Sequence, residues 1–209
     1  MPDHPPYRRQ VLDHLGLVAG MFDALGMGDV IDHATPHHPA RRDLTMGEAV
    51  NAMGRKGLGW MNQALYLVPR CFQHTPTYRL LSPRMVPAQL NDDARGRALE
   101  TLYASGVTER YRLMATTAAE RLGLVPRLAP LESTSCHGDG RYHRAEEPAD
   151  KVVHLTRGDS REHRPDFNQV MVELMVEHHA GMPILMQPLS GHSSDVQAFG
   201  AAVRAHVHQ

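Results

Sequence analysis

Phe167-Asn168-Gln169-Val170-Met171-Val172-Glu173-Leu174-Met175-Val176-Glu177 alternates with a period of two. Val170, Val172, Leu174 and Val176 fall on one face, with Met171, Glu173, Met175 and Glu177 on the other. Successive side chains of an extended chain point to opposite faces, so the stretch predicts a half-buried strand. Ala180-Gly181 then marks a hairpin turn, and residues 183–189 supply the partner strand. Upstream, the apolar approach Leu128, Ala129 and Leu131 leads into Glu132-Ser133-Thr134-Ser135, a further strand that carries one carboxylate among hydroxyls. A short strand is expected at 152–156, and Ser194 with Gln197 makes a capping box for a helix after the sheet.

The chain before Leu124 has a different rhythm. From Leu15, the apolar residues Val18, Met21, Phe22 and Leu25 recur at helical spacing, with Gly26 as a stop signal. Residues 32–43, rich in His, Pro and Arg, are expected to form a loop. Thr45-Met46-Gly47-Glu48 fits a capping box, in which the Thr oxygen and the Glu carboxylate satisfy orphan backbone N–H groups. The helix it opens carries Val50 and Met53 and is expected to break at Gly54-Arg55-Lys56-Gly57-Leu58-Gly59, with Arg55 and Lys56 at a solvated end. Residues 60–81 read as mixed helix and loop. Asn91 or Asp92 can cap a helix with Leu99, Leu102 and Tyr103 on one face, ending at Gly106. Thr108 starts the next, with Val107, Tyr111, Met114, Ala115, Ala118 and Leu122 as its buried stripe and Gly123 as its close. The fold class expected is α+β: a helical domain over 1–123, then mainly antiparallel strands over 124–209.

Composition bounds the function. At 209 residues, 42% of them hydrophobic, the chain can bury a real core. Twenty-two Lys and Arg stand against 23 Asp and Glu, so bulk charge lends nothing to nucleic-acid binding, which must come from local patches. Cys71 and Cys136 belong to no Cys-x-x-Cys pair, which excludes a zinc ribbon. The first residues lack the apolar core of a signal peptide, and no apolar run approaches the roughly 20 residues of a membrane span. A cytoplasmic protein with no membrane partner is the expectation.

The candidate chemistry is sparse. Glu132 is placed where a metal-dependent phosphoryl-transfer site could begin, and is otherwise a solvated strand-end carboxylate. Asp139 and Asp166 suit turns and loops, where Asp commonly bonds its own backbone. His178 and His179 are adjacent and would face opposite ways on a strand. No Gly-x-Ser-x-Gly elbow and no phosphate-cradling Gly-rich loop occurs. Arg157, Arg161 and Arg164, with His163 among them, form the best basic cluster, either holding DNA phosphates or lining a solvated turn.

Several of these stretches together resemble bacterial insertion-sequence transposases of the DDE type. They are Leu131-Glu132-Ser133-Thr134-Ser135, His137-Gly138-Asp139-Gly140-Arg141-Tyr142 and Gly158-Asp159-Ser160-Arg161-Glu162-His163-Arg164-Pro165-Asp166. Leu90-Asn91-Asp92-Asp93 and Gly96-Arg97-Ala98-Leu99 match upstream, and Pro188-Leu189-Ser190-Gly191 downstream, so the resemblance runs from about Val11 to Gly200. It implies an RNase H-like catalytic domain of which 124–209 is the incomplete front part. In that family the first catalytic strand carries an Asp; the matching position here is Glu132, the residue implied for catalysis and for metal binding. Mg²⁺ would be the cofactor, shared with a downstream Asp and Glu that this chain does not reach. The resemblance also implies DNA partners at the terminal repeats of a mobile element, and a homo-oligomer or full-length transposase as a protein partner. Two functions are expected from it. One is a truncated transposase, related to DNA transposition and recombination but inactive alone. The other is a non-catalytic DNA-binding or dimerising fragment that regulates transposition.

Overall fold

A computed structural model describes residues 12–36, 44–59, 65–73, 75–124, 129–138, 152–158 and 166–193. Among them are seven α-helices followed by a three-stranded antiparallel sheet, so the chain is α+β. The helices are α1 (Asp13–Ala24), α2 (Met27–Ala34), α3 (Met46–Gly59), α4 (Val68–Gln73), α5 (Thr77–Leu80), α6 (Asp92–Ala104) and α7 (Val107–Arg121). The strands are β1 (Leu131–Gly138), β2 (Asn168–Val176) and β3 (Pro183–Ser190), in the order β1-β2-β3. The chain divides into two compact units, Met1–Arg110 and Tyr111–Gln209. Sequence rhythm places the change after residue 123. The structure instead groups most of α7 with the sheet, where the Tyr111 hydroxyl donates to the Pro183 carbonyl at 3.3 Å.

In the helical unit the core gathers Leu15 and Ala19 from α1, Ala52 from α3, Val68 and Phe72 from α4, and Leu80, Leu81, Met85 and Leu90. Burying each large apolar side chain contributes about 1.5–3 kcal/mol. The expected capping box of α3 is present. Thr45 N donates to Glu48 Oε2 at 2.9 Å, and Glu48 N donates to Thr45 Oγ1 at 3.2 Å. Asn91 caps α6 by accepting from Ala94 N at 2.9 Å. At the α2–α3 contact, Gly47 lies so close to Gly28 that a Cβ on Gly47 would sit 2.8 Å from the Gly28 Cα. Only glycine permits that approach.

Four helical details depart from the sequence reading. Residues 32–34 belong to α2, whose inward face is Met27 and Ile31. The α3 helix does not break at Gly54 but continues to Gly59. Gly54 and Gly57 meet nothing within 4 Å, so they cost helix propensity of about 1 kcal/mol each while Ala49, Ala52 and Arg55 hold the opposite side in the core. Arg55 is therefore not a solvated helix end: it is 0% exposed. On α6 and α7 small residues take the inward positions. Arg95 and Ala98 are buried on α6 while Leu99 and Tyr103 are exposed. On α7 the expected Ala115 and Ala118 are buried, with Ala119 beside them, while Leu122, just past the helix, is exposed.

The sheet follows the alternation. The face of β2 carrying Val170, Val172, Leu174 and Val176 is half-buried, and the face carrying Gln169, Met171, Glu173 and Met175 is buried. Met175, Ile184 and Leu185 form the apolar cluster here, with Ala129 and Leu131 against it. The strand expected over 152–156 contributes a single bridge, between Thr156 and Gln169. The hairpin turn at Ala180-Gly181 is present, and Gly181 has φ 64°. The capping box at Ser194 and Gln197 lies outside the described residues.

Candidate functional site

Glu132 is the second residue of β1 and pairs with Leu174 of β2. Its face also carries Thr134 and Cys136, all three exposed, against the half-buried Val170, Val172 and Leu174. The carboxylate therefore stands in solvent beside an apolar strip. One residue along, Ser133 faces the other way and pairs with Glu173, which in turn pairs with Gln187. Glu173 is 0% exposed and both its carboxylate oxygens are buried. It is the carboxylate that pattern reading passed over, although the alternation that puts it on the Met171 and Met175 face was visible.

The far end of β2 is tied down by polar contacts. Gln169 exchanges two backbone hydrogen bonds with Thr156, at 2.9 and 3.1 Å. Its Nε2 donates to the Gly191 carbonyl at 2.9 Å, and Gly191 N donates to the His154 carbonyl at 3.0 Å. His154 N in turn donates to Ser190 Oγ at 3.0 Å. Gly158 and Gly191 press together here. A Cβ on Gly158 would overlap the Gly191 carbonyl, and one on Gly191 would overlap the Gln169 and Thr156 carbonyls. Two sequence stretches more than thirty residues apart thus meet on one glutamine.

Arg157 is exposed and follows Thr156 at this end of the sheet. Glu132 lies at the other: from Leu174 to Gln169 is five residues of β2, or about 17 Å at the strand rise. The structure does not bring Arg157 to Glu132. Arg161, His163 and Arg164, like Asp139, lie outside the described residues. Asp166 is exposed in a turn, as expected of a loop carboxylate.

His178 and His179 are exposed in the turn after β2 rather than on a strand. There the Glu177 carboxylate accepts from Ala180 N and His179 N, each at 2.7 Å, and these two N–H groups hold it below the usual carboxylate range. Among the described residues, no group of three His, Cys, Asp or Glu side chains is placed to hold a metal ion. Glu132 with its described neighbours does not by itself fit a Mg²⁺ site. Both cysteines are free.

Fold and site define an α+β chain in which an edge strand displays one carboxylate to solvent. Residues 7–116 match the family described as a domain of unknown function, DUF4277. That is more than half of the chain, which belongs to this family. Comparison with curated proteins and with solved structures finds no match. No single helix among the described residues is long and apolar enough to cross a membrane.

Proposed function

We propose that this chain carries the helical N-terminal domain and the opening strands of an RNase H-like domain of a DDE-type insertion-sequence transposase. Its role would lie in DNA transposition in the cytoplasm, with the ends of a mobile element as its DNA partner. The observation that supports this reading is the β1-β2-β3 antiparallel order with Glu132 exposed on β1. Resemblance and geometry meet at one residue: Glu132 is the position matching the family's first catalytic Asp. Gly158 and Ser190-Gly191, from two further stretches carrying the resemblance, converge at Gln169.

In this reading Mg²⁺ belongs to the assembled transposase, and the chain alone does not cut DNA. A second reading, a non-catalytic DNA-binding or dimerising fragment that regulates transposition, draws support from the exposed Arg157 and the isolation of Glu132 among the described residues.

A mobility-shift titration of the full chain over a salt series tests DNA engagement under both readings. Phosphate contacts release counterions, so affinity should fall steeply with salt, and Arg157→Ala should reduce the slope by about 1. Absence of binding at low salt would count against both. Mg²⁺-dependent nicking of plasmid DNA by the chain alone, lost in Glu132→Ala, would overturn the claim that it is inactive by itself.

A further inference from the structure

From Ala49 to Asn91 the chain holds no Asp or Glu against four Arg and one Lys, although charge nearly balances over the whole sequence. Within that stretch the short helices sort their side chains cleanly. The 3₁₀ turn Leu65–Leu67 runs straight into α4. Val68 and Phe72 enter the core from one side of this run, and Tyr66, Arg70 and Gln73 stand exposed on the other. Leu80 of α5 enters the same core, which leaves Tyr78 and Arg79 exposed.

Two tyrosine–arginine pairs result. Tyr66 is 67% exposed and Tyr78 56%. Tyr66 and Arg70 are four residues apart in a helical run, close to the spacing that sets side chains next to one another. The Arg79 guanidinium lies 5.8 Å from the Tyr78 ring centroid. Neither Arg70 nor Arg79 forms an ion pair among the described residues, whereas Arg84 is held by Glu48 at 3.0 Å.

The backbone beneath the pairs is tied down. Thr75 N donates to the Phe72 carbonyl at 3.2 Å, and Thr75 Oγ1 donates to the Cys71 carbonyl at 3.1 Å. Thr77 Oγ1 donates to the Met85 carbonyl at 3.1 Å, which anchors α5. The rings are thus presented by a braced frame. Single exposed aromatics are ordinary on a protein surface. Two rings, each with a guanidinium free of carboxylates, make a more specific surface. Guanidinium matches phosphate oxygens, and a flat ring stacks on a base. Duplex bases are already stacked on one another, so exposed rings gain nothing there; unpaired bases offer both faces.

We propose that the α4–α5 surface of the helical unit binds unpaired nucleotides, with Tyr66 and Tyr78 stacking on bases and Arg70 and Arg79 on the phosphates between them. The strand is single-stranded DNA or RNA, and the chemistry of capture is the same. The inference does not rest on the transposase reading.

Fluorescence anisotropy of the full chain with a labelled oligothymidylate of about 12 nucleotides tests it. Saturable binding is expected, and Arg70→Gln and Arg79→Gln should each reduce its log–log salt slope by about 0.7. Tyr66→Ala and Tyr78→Ala should each weaken it about tenfold, while Tyr66→Phe and Tyr78→Phe keep it, because the ring and not the hydroxyl stacks. A strand of the same length without bases should bind at least about tenfold more weakly. Oligouridylate separates the sources: tighter binding than oligothymidylate identifies RNA, weaker binding DNA, and equal binding a site that takes either. No binding at about 50 mM salt overturns the proposal. So does binding that both Tyr→Ala variants leave unchanged, or a base-free strand that binds equally well.

Discussion

Glu132 and Glu173 stand one register row apart on neighbouring strands and point to opposite faces of the sheet. Glu132 is in solvent, opposite Leu174, and Glu173 is fully buried, opposite Ser133. No ligand on one face reaches both carboxylates. Their tolerance of change should differ accordingly. Glu132→Ala should alter stability by no more than about 0.5 kcal/mol. Glu173→Lys puts an ammonium into the buried face and should cost about 3 kcal/mol or more. Chemical denaturation of both variants, read by β-sheet circular dichroism, checks this. Equal sensitivity of the two positions would mean that the faces are assigned wrongly.

The contact between Gly158 and Gly191 makes a second prediction. A methyl group at either position overlaps backbone, which cannot move aside as a flexible side chain can. Gly158→Ala and Gly191→Ala should each lower stability by about 1–3 kcal/mol, and lower Tm by at least about 4 °C. A melt indistinguishable from that of the parent protein would place the two glycines apart.

Acid should loosen both units through specific carboxylates. At Glu48, burial pushes the carboxyl up. The Thr45 N–H and hydrogen bonds from Arg84 and Ser82 outweigh it, so the net shift is downward. At Glu177 the Ala180 and His179 N–H groups lower it. A lowered folded-state pKa gives stability that is complete above the unfolded value of about 4.3 and is lost as pH falls through the folded value. Glu48→Gln and Glu177→Gln should therefore flatten the stability profile below about pH 5. Profiles as steep as the parent's would assign the acid sensitivity to other groups.

Arg55 is a cost rather than a support. Its Nη1 donates to the Asn51 carbonyl at 3.3 Å and its guanidinium lies 5.8 Å from the Phe22 ring centroid. Its Nε and Nη2 have no hydrogen-bond partner among the described residues. Burial pushes its pKa down to about 10, against an opposing pull from Asp23. The unfolded chain thus holds this proton more tightly, and stability gained from its loss appears only above about pH 10. At neutral pH, Arg55→Met keeps the volume and removes the buried charge, and should leave Tm unchanged or raised. A fall of several degrees would show that the guanidinium anchors α3.

What the sequence disclosed, and what it hid, divides along physical lines. Local chemistry was legible: the Thr45–Glu48 box, the Asn91 cap and the period-two run of β2 depend on residues close in sequence. Facing was not. The alternation separates the two faces of β2 without telling which lies deeper; Glu173 is buried between Ser133 and Gln187, and Gln169 is buried where it bonds Thr156 and Gly191. The length of α3 was hidden for a similar reason. Its glycines weaken it locally, and only long-range burial of Ala52 and Arg55 carries it to Gly59.

The central claim is that Glu132 belongs to a protein that moves DNA, and the most direct measurement is the sequence of the genomic DNA on both sides of the coding region. The account predicts a pair of terminal inverted repeats enclosing the gene, together with a reading frame that supplies an Asp and a Glu to accompany Glu132. Flanks without inverted repeats, and no frame carrying such carboxylates, would contradict it.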